Sequence, residues 1–167
     1  MKKLASRSAQ YPLVQEFSFD FNDWVVDSAD LVKKTLGSTV AAAKDPAEAG
    51  LTGPVANTIT FDCIPLPVGA VVTGGELIVE TAVTGSTAAT ITLGIAGALT
   101  SLLGSTSLMA TAGTRTALLL TSALQSQAAG ANVRATIAYT VANATAGRAR
   151  VRLMYTIDGR SQEVQVS

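Results

Sequence analysis

The run Arg148-Ala149-Arg150-Val151-Arg152-Leu153-Met154-Tyr155-Thr156-Ile157 decides the fold. Arginine alternates with Ala149, Val151 and Leu153, and a period of two is the spacing that sends side chains to opposite faces of a strand. One face is apolar and suited to a core; the other carries a row of guanidinium groups. The same alternation recurs upstream. Phe17, Phe19 and Phe21 share a face in Glu16-Phe17-Ser18-Phe19-Asp20-Phe21, and Ile59, Phe61 and Cys63 share one in Thr58-Ile59-Thr60-Phe61-Asp62-Cys63. In Glu76-Leu77-Ile78-Val79-Glu80-Thr81-Ala82-Val83, Leu77, Val79 and Val83 oppose the two glutamates. Residues 89–95 and 133–141 alternate as regularly. Turn residues separate these runs: Pro65, Pro67, Gly69, Gly85-Ser86, Gly113, Gly130, Gly147 and Asp158-Gly159. Short strands with such punctuation predict an all-β fold, an antiparallel β-sandwich, rather than a parallel sheet with crossover helices.

Some segments read differently. Gly74-Gly75 lies between apolar runs and suits a tight turn or a bulge. Residues 28–37 have an N-cap candidate in Ser28, apolar residues at offsets of three and four, and a terminal Gly37, which suits one short helix, with an extended loop as the alternative. Residues 99–124 mix leucine with Ser, Thr, Gly and Ala, and suit a crossing between sheets with short strands and a helical turn. The organisation expected is an extended, polar, basic N-terminal arm over residues 1–12. A single sandwich domain follows over 13–167, with a long surface connection at about 38–57.

Composition narrows the function. The 167 residues are 48% hydrophobic but only 14% charged, enough to bury a core at roughly half the usual charge density. Twelve Lys plus Arg balance twelve Asp plus Glu, so no long-range field calls for nucleic acid or an anionic membrane. There is no histidine and one cysteine, Cys63. Their scarcity removes Ser–His and Cys–His nucleophile pairs, imidazole acid–base chemistry and thiolate-rich zinc sites. Cys63 has no partner for an internal disulfide and reads as a small buried hydrophobe. The basic start lacks the apolar run of a signal peptide, which points to maturation in the cytoplasm. Residues 82–114 contain no charge, but Thr, Ser and Gly interrupt every apolar run well short of the roughly 18–20 residues a spanning helix needs.

No catalytic constellation emerges. The glycine-rich pieces lack the spacing that cradles phosphate, and neither a cofactor nor a metal is expected. Glu16, Asp20, Asp23, Asp27 and Asp30 are dense enough to suggest calcium, yet their spacing equally suits the wet face of a strand followed by a loop. Glu76 and Glu80 lie about 13 Å apart along one strand face, beyond the ~5–9.5 Å of glycosidase carboxylate pairs. Arg148, Arg150 and Arg152 are the most informative polar set. Their mutual repulsion calls either for acceptors on neighbouring strands, with Glu76, Glu80 or an N-terminal aspartate available, or for a protein partner. Trp24, the sole tryptophan, suits a core anchor or an exposed contact. Asn143-Ala144-Thr145 fits a glycosylation sequon but has no secretory context.

The stretch from Phe61 to Ala82, with Leu66-Pro67-Val68-Gly69-Ala70-Val71-Val72-Thr73-Gly74-Gly75-Glu76-Leu77 at its centre, resembles small β-sandwich structural proteins of tailed-bacteriophage virions, especially capsid decoration or cement proteins. The run from Ala144 to Arg152, followed by Tyr155 and Asp158-Gly159-Arg160, fits the same resemblance, which covers about half the chain. It implies a jelly-roll fold that oligomerises as a dimer or trimer on the outside of a capsid assembled in the host cytoplasm. Such a protein binds the major capsid protein, stabilises capsomer contacts and has no catalytic residue. On that reading the candidate contact residues are Lys2, Lys3, Arg7 and Tyr11 in the arm, Asp23 and Trp24 after the phenylalanine strand, and Arg148, Arg150 and Arg152. Neither membrane nor nucleic acid is an expected partner. The alternative is a receptor- or carbohydrate-binding head-fibre or tail-spike module stacking sugar on Trp24 or Tyr11; Tyr139 and Tyr155 fall on apolar strand faces and point inward.

Overall fold

A computed structural model describes residues 12–29, 31, 33–37, 58–120, 130–140 and 144–158. Most of the expected arm and the long connection lie outside these residues. The described chain forms ten strands: β1 (Leu13–Asp20), β2 (Trp24–Val26), β3 (Lys33–Thr35), β4 (Thr58–Leu66), β5 (Ala70–Thr84), β6 (Ala88–Ile95), β7 (Ala98–Ser107), β8 (Arg115–Ala117), β9 (Ala131–Thr140) and β10 (Ala146–Ile157). Every pairing is antiparallel. One sheet has the order β1-β10-β5-β8, the other β4-β9-β6-β7, and β2-β3 is a separate hairpin. The protein is thus an antiparallel β-sandwich.

Setting the hairpin aside, the pairing nests: first strand with last (β1 with β10), second with seventh (β4 with β9), third with sixth (β5 with β8), fourth with fifth (β6 with β7). Nesting closes the sandwich around one cluster of apolar side chains from both sheets, including Phe19, Leu77, Val151, Leu153 and Tyr155 from the first and Ile59, Phe61, Ile91, Leu93, Val133, Ile137 and Tyr139 from the second. These are the inward residues of the period-two runs. Burying each large aliphatic side chain stabilises the fold by about 1.5–3 kcal/mol before conformational entropy is counted. Phe17, Phe19 and Phe61 form an aromatic triad across the sheets, with ring centroids 5.8–6.3 Å apart.

Gly74-Gly75 is a bulge and not a turn. β5 runs through it unbroken, with Met154 opposite Gly74 but Tyr155 opposite Val72, so Thr73 is the extra residue. Gly75 has φ +151°, and a Cβ there would overlap the Arg152 carbonyl oxygen and lie 2.6 Å from Leu118 Cδ1. Glycine is therefore required where β10 and Leu118 close on the bulge.

The helix expected over residues 28–37 is replaced by the second arm of the hairpin, with Trp24 opposite Thr35 and Val26 opposite Lys33. The would-be cap loses to its neighbour: Asp27, and not Ser28, takes the free amide, its Oδ1 accepting from Ala29 N at 3.0 Å. Ser28 N donates instead to Thr60 O at 2.6 Å, tying the turn to β4. Residues 99–120 do cross between sheets, since β7 lies in one and β8 in the other. No helical turn forms among their described residues.

Candidate functional site

The outward face of the first sheet carries a charge lattice. Register places Glu16 opposite Arg152 and Arg152 opposite Glu76. Arg152 Nε lies 2.5 Å from Glu16 Oε1 and its NH1 3.3 Å from Glu76 Oε1. Arg150 reaches Glu16 (NH1, 3.3 Å) and Glu80 (Nε, 3.1 Å), Arg148 reaches Glu80 at 2.9 Å, and Arg115 reaches Glu76 at 2.7 Å. Each carboxylate is shared by two guanidiniums. The N-terminal acceptor is thus Glu16 and not an aspartate, because Asp20, though opposite Arg148, turns back to accept from Asn22 N at 3.2 Å. The hydrogen bond from Arg152 and the two nearby positive charges hold the Glu16 carboxyl below its ordinary range. The same partnership raises Arg152. Ile78, between Arg150 and Arg115 in register, is buried on this charged face. Long arginine stems can cover it while their heads stay wet.

The outer face of the second sheet is neutral. Two rows cross it, Thr58–Ala138–Thr90 and Thr60–Thr136–Thr92, and the Thr60 and Thr136 hydroxyls are 2.9 Å apart. Beyond them Asp62 accepts from Arg134 Nε at 2.7 Å and from Asn132 Nδ2 at 2.8 Å.

A groove opens where the edge strands β1 and β4 run side by side and the hairpin packs against them. Its volume is about 560 Å³; Phe17 and Phe61 reach it from the strands, Trp24, Val26 and Leu31 from the hairpin, and Asp23, Asp62 and Arg134 add polar groups. Trp24 is 42% exposed, which excludes the core-anchor alternative, and Lys33 Nζ lies 5.7 Å from its ring centroid. Leu31 is 79% exposed and holds φ +59°, a left-handed conformation rare for leucine.

What fixes the hairpin is Asp27, one of the acidic residues expected on a wet face. It is 1% exposed. Its Oδ2 accepts from Lys34 Nζ at 2.6 Å, while Oδ1 accepts from Ala29 N and, at 3.3 Å, from Thr60 N. Burial of a carboxylate is tolerable only with such compensation. Asp23 has a lesser role: its Oδ2 accepts from Asp20 N at 2.8 Å, closing the turn after β1.

The candidate contact residues divide accordingly. Asp23 and Trp24 come together at the groove, and Asp23 also shares a small concavity of about 230 Å³ with Asp20 and Arg148, which links the groove to the end of the arginine row. Arg150 and Arg152 lie further along the charged face. Lys2, Lys3, Arg7 and Tyr11 lie outside the described residues, as do Asp30 and Asn143. Sequence reasoning named Asp27 but placed it on a wet face, whereas it is buried, and it missed Asp62, Leu31 and Arg134. Only Asp62 and Arg134 left a signal, as lone charges on otherwise Thr/Ala strand faces.

No group of three or more Cys, Asp or Glu side chains suited to a metal occurs among the described residues. Cys63 is buried, donates from Sγ to Val133 O at 3.2 Å, and has its thiol pushed up to about 12 by desolvation. Tyr139 and Tyr155 are buried as their strand faces require, and burial raises the Tyr139 phenol to about 12. No helix among the described residues is long and apolar enough to cross a membrane.

Neither a family model nor a curated protein sequence matches the chain. A solved structure does: a chain of the Cyanophage Pam1 capsid asymmetric unit superposes with a TM-score of 0.55 at 19% identity, covering 93% of this chain and 94% of that one. The sandwich is therefore shared with a chain of that particle over nearly the whole of both. At this identity the likeness is one of fold.

Proposed function

We propose that the chain is a structural subunit of a phage virion that binds the assembled major capsid protein from outside and reinforces the contacts between capsomers. The observation that carries this reading is the end-to-end likeness to a chain of a phage capsid asymmetric unit. The nested strand pairing supports the same reading, since nested antiparallel pairing of eight strands suits a jelly roll, a fold used in viral capsids. Two chemically distinct outer faces fit a protein with one side toward a neighbour and one toward water. The neutral Thr/Ala face loses little on dehydration, whereas the lattice of Arg148, Arg150 and Arg152 already has its carboxylates and is costly to strip of water.

The mechanism is additive: each copy, alone or as a dimer or trimer, adds modest buried area at a junction, and many copies act in parallel. No catalysis and no cofactor enter it. Cosedimentation with empty capsids tests the reading. Saturation at a fixed ratio, with capsids lacking the protein failing sooner under heat and osmotic shock, is the expected result; no saturable binding, or equal resistance with and without it, refutes it.

The exposure of Trp24 beside a groove favours a second reading, a glycan-binding module of a head fibre or tail spike. Silence of the protein on a glycan array eliminates it.

A further inference from the structure

The two large sheets end in the edge strands β1, β8, β4 and β7, and all but β1 are blunted. β8 is only three residues long. β7 breaks register with β6 twice, and its Leu102 O accepts from Leu119 N at 2.6 Å. On β4 the hairpin closes off Thr60, whose O accepts from Ser28 N and whose N donates to Asp27 Oδ1, and a bulge and Pro65 follow. β1 has none of these devices. Its register with β10 is unbroken over all eight residues, and Leu13–Asp20 contains no proline, lysine or arginine. Phe21 N donates to Gly147 O at 3.1 Å, and the same register makes Leu13, Gln15, Phe17 and Phe19 the residues bonded to β10. The backbone groups of Val14, Glu16 and Ser18 therefore point off the sheet, where no backbone partner meets them among the described residues. Leu13 and Val14 are also 37% and 55% exposed. Between them and Phe17, on the inward face, Gln15 has its Oε1 buried without a hydrogen-bond partner among the described residues, and a buried amide oxygen lacking a donor is costly.

We infer that β1 pairs antiparallel with β1 of a second copy about a two-fold axis at Gln15, so that the two four-stranded sheets become one continuous sheet. In that register the partner's Gln15 lies opposite Gln15 in the closer, non-hydrogen-bonded kind of pair, and each amide donates from Nε2 to the other's Oε1. Leu13 meets the partner's Phe17, and Val14 the partner's Glu16. Val14 and Glu16 of the two copies exchange about four main-chain hydrogen bonds. Moving the axis to Glu16 would set the two Glu16 carboxylates opposite one another and Gln15 opposite Phe17, which has no donor to give. With the axis at Gln15 each Glu16 stays in the hold of its own Arg150 and Arg152. The pairing specifies the oligomer that the virion reading leaves open, but does not rest on that reading, and it forms without a capsid.

Sedimentation equilibrium of the free, full-length chain is expected to show a monomer–dimer transition. Val14→Pro takes no hydrogen bond from the monomer, because the Val14 N–H points away from β10, yet it removes about half of those between copies. It is expected to move the transition to at least about tenfold higher concentration. Gln15→Cys is expected to give a disulfide-linked dimer on mild oxidation, since the facing Cα atoms lie within disulfide reach, whereas Ser105→Cys, exposed on β7, does not. Cys63 is buried and contributes no background. A chain that is monomeric at every concentration overturns the inference, as does a trimer, a dimer that Val14→Pro leaves unmoved, or Gln15→Cys chains that link no faster than Ser105→Cys. Where Val14→Pro fails to fold, the comparison of the two cysteine variants decides. No capsid is present in these measurements, so their failure leaves the virion reading to its own test, and failure of capsid binding leaves the pairing standing.

Discussion

The Lys34 ammonium lies 2.6 Å from the Asp27 carboxylate, and the pair is almost withdrawn from water, at 13% and 1% side-chain exposure. The other Asp27 oxygen holds the backbone of β4 through Thr60 N. One buried carboxylate thus joins both arms of the hairpin to the sandwich edge, and the groove depends on it.

Replacing Asp27 by alanine is therefore expected to destabilise the protein by about 3 kcal/mol, because it removes a mostly buried carboxylate that pairs with the Lys34 ammonium and accepts from two amides. Asp27→Asn, which keeps an acceptor for those amides, should cost less. Urea unfolding of both variants, with Lys34→Met to complete a double-mutant cycle, separates the ion pair from the backbone bonds. Equal losses for alanine and asparagine would assign the effect to charge alone.

Acid should weaken the charge lattice from its Glu16 corner. The folded carboxyl titrates below the ordinary 4.5 because Arg152 hydrogen-bonds it and Arg152 and Arg150 attract it. Its contribution is accordingly present above pH 4.5 and lost as pH falls through the lower folded value. Melting temperatures measured from pH 7 to pH 3 should decline less steeply for Glu16→Gln than for the parent chain, with the two curves converging at the acid end.

Alkali acts on the core. Cys63 moves from 9.0 to about 12 and Tyr139 from 10.0 to about 12 on folding, both through desolvation. Raised values favour the neutral forms, so this stability is complete below about pH 9 and is lost as pH climbs toward 12. Cys63 should be silent to a thiol reagent at pH 8 in the native protein and reactive once unfolded. Native reactivity at the unfolded rate would contradict its burial.

Glycine substitutions offer a contrast within one sheet. A Cβ on Gly94 would overlap the Ala98 carbonyl oxygen and stand 2.5 Å from Leu99 C, whereas one on Gly104 meets nothing within 4 Å. Gly94→Ala is expected to cost several kcal/mol or abolish folding, and Gly104→Ala to stay within about 0.5 kcal/mol of the parent. Thermal melts of the two variants decide the matter.

The sandwich was legible because its strands are half-buried and alternate. Phe17/Phe19, Ile59/Phe61/Cys63 and Val151/Leu153/Tyr155 each declare an inward face without any long-range knowledge. The hairpin was not legible, since residues 28–37 space their apolar side chains as a helix does. Tertiary bonds from Asp27 and Thr60, far apart in sequence, overrode that local signal. The arginine row was visible as a row, and the carboxylates Glu76 and Glu80 were named for it. That Glu16 would complete the lattice depended on pairing the first strand with the last. Trp24 sits on a strand too short to show its period, so its exposure had no sequence signature.

The pairing of β1 with β10 also has a consequence for synthesis. Glu16 and Arg152 are 136 residues apart in the chain. A nascent chain emerging from the ribosome therefore displays its phenylalanine strand long before the partner that covers it exists. The sheet can be completed only when translation has passed Ile157, and until then Phe17, Phe19 and Phe21 form an unpaired, aggregation-prone edge. The yield of soluble protein should accordingly depend on how quickly translation reaches Ile157 and on how well chaperones shield that first strand.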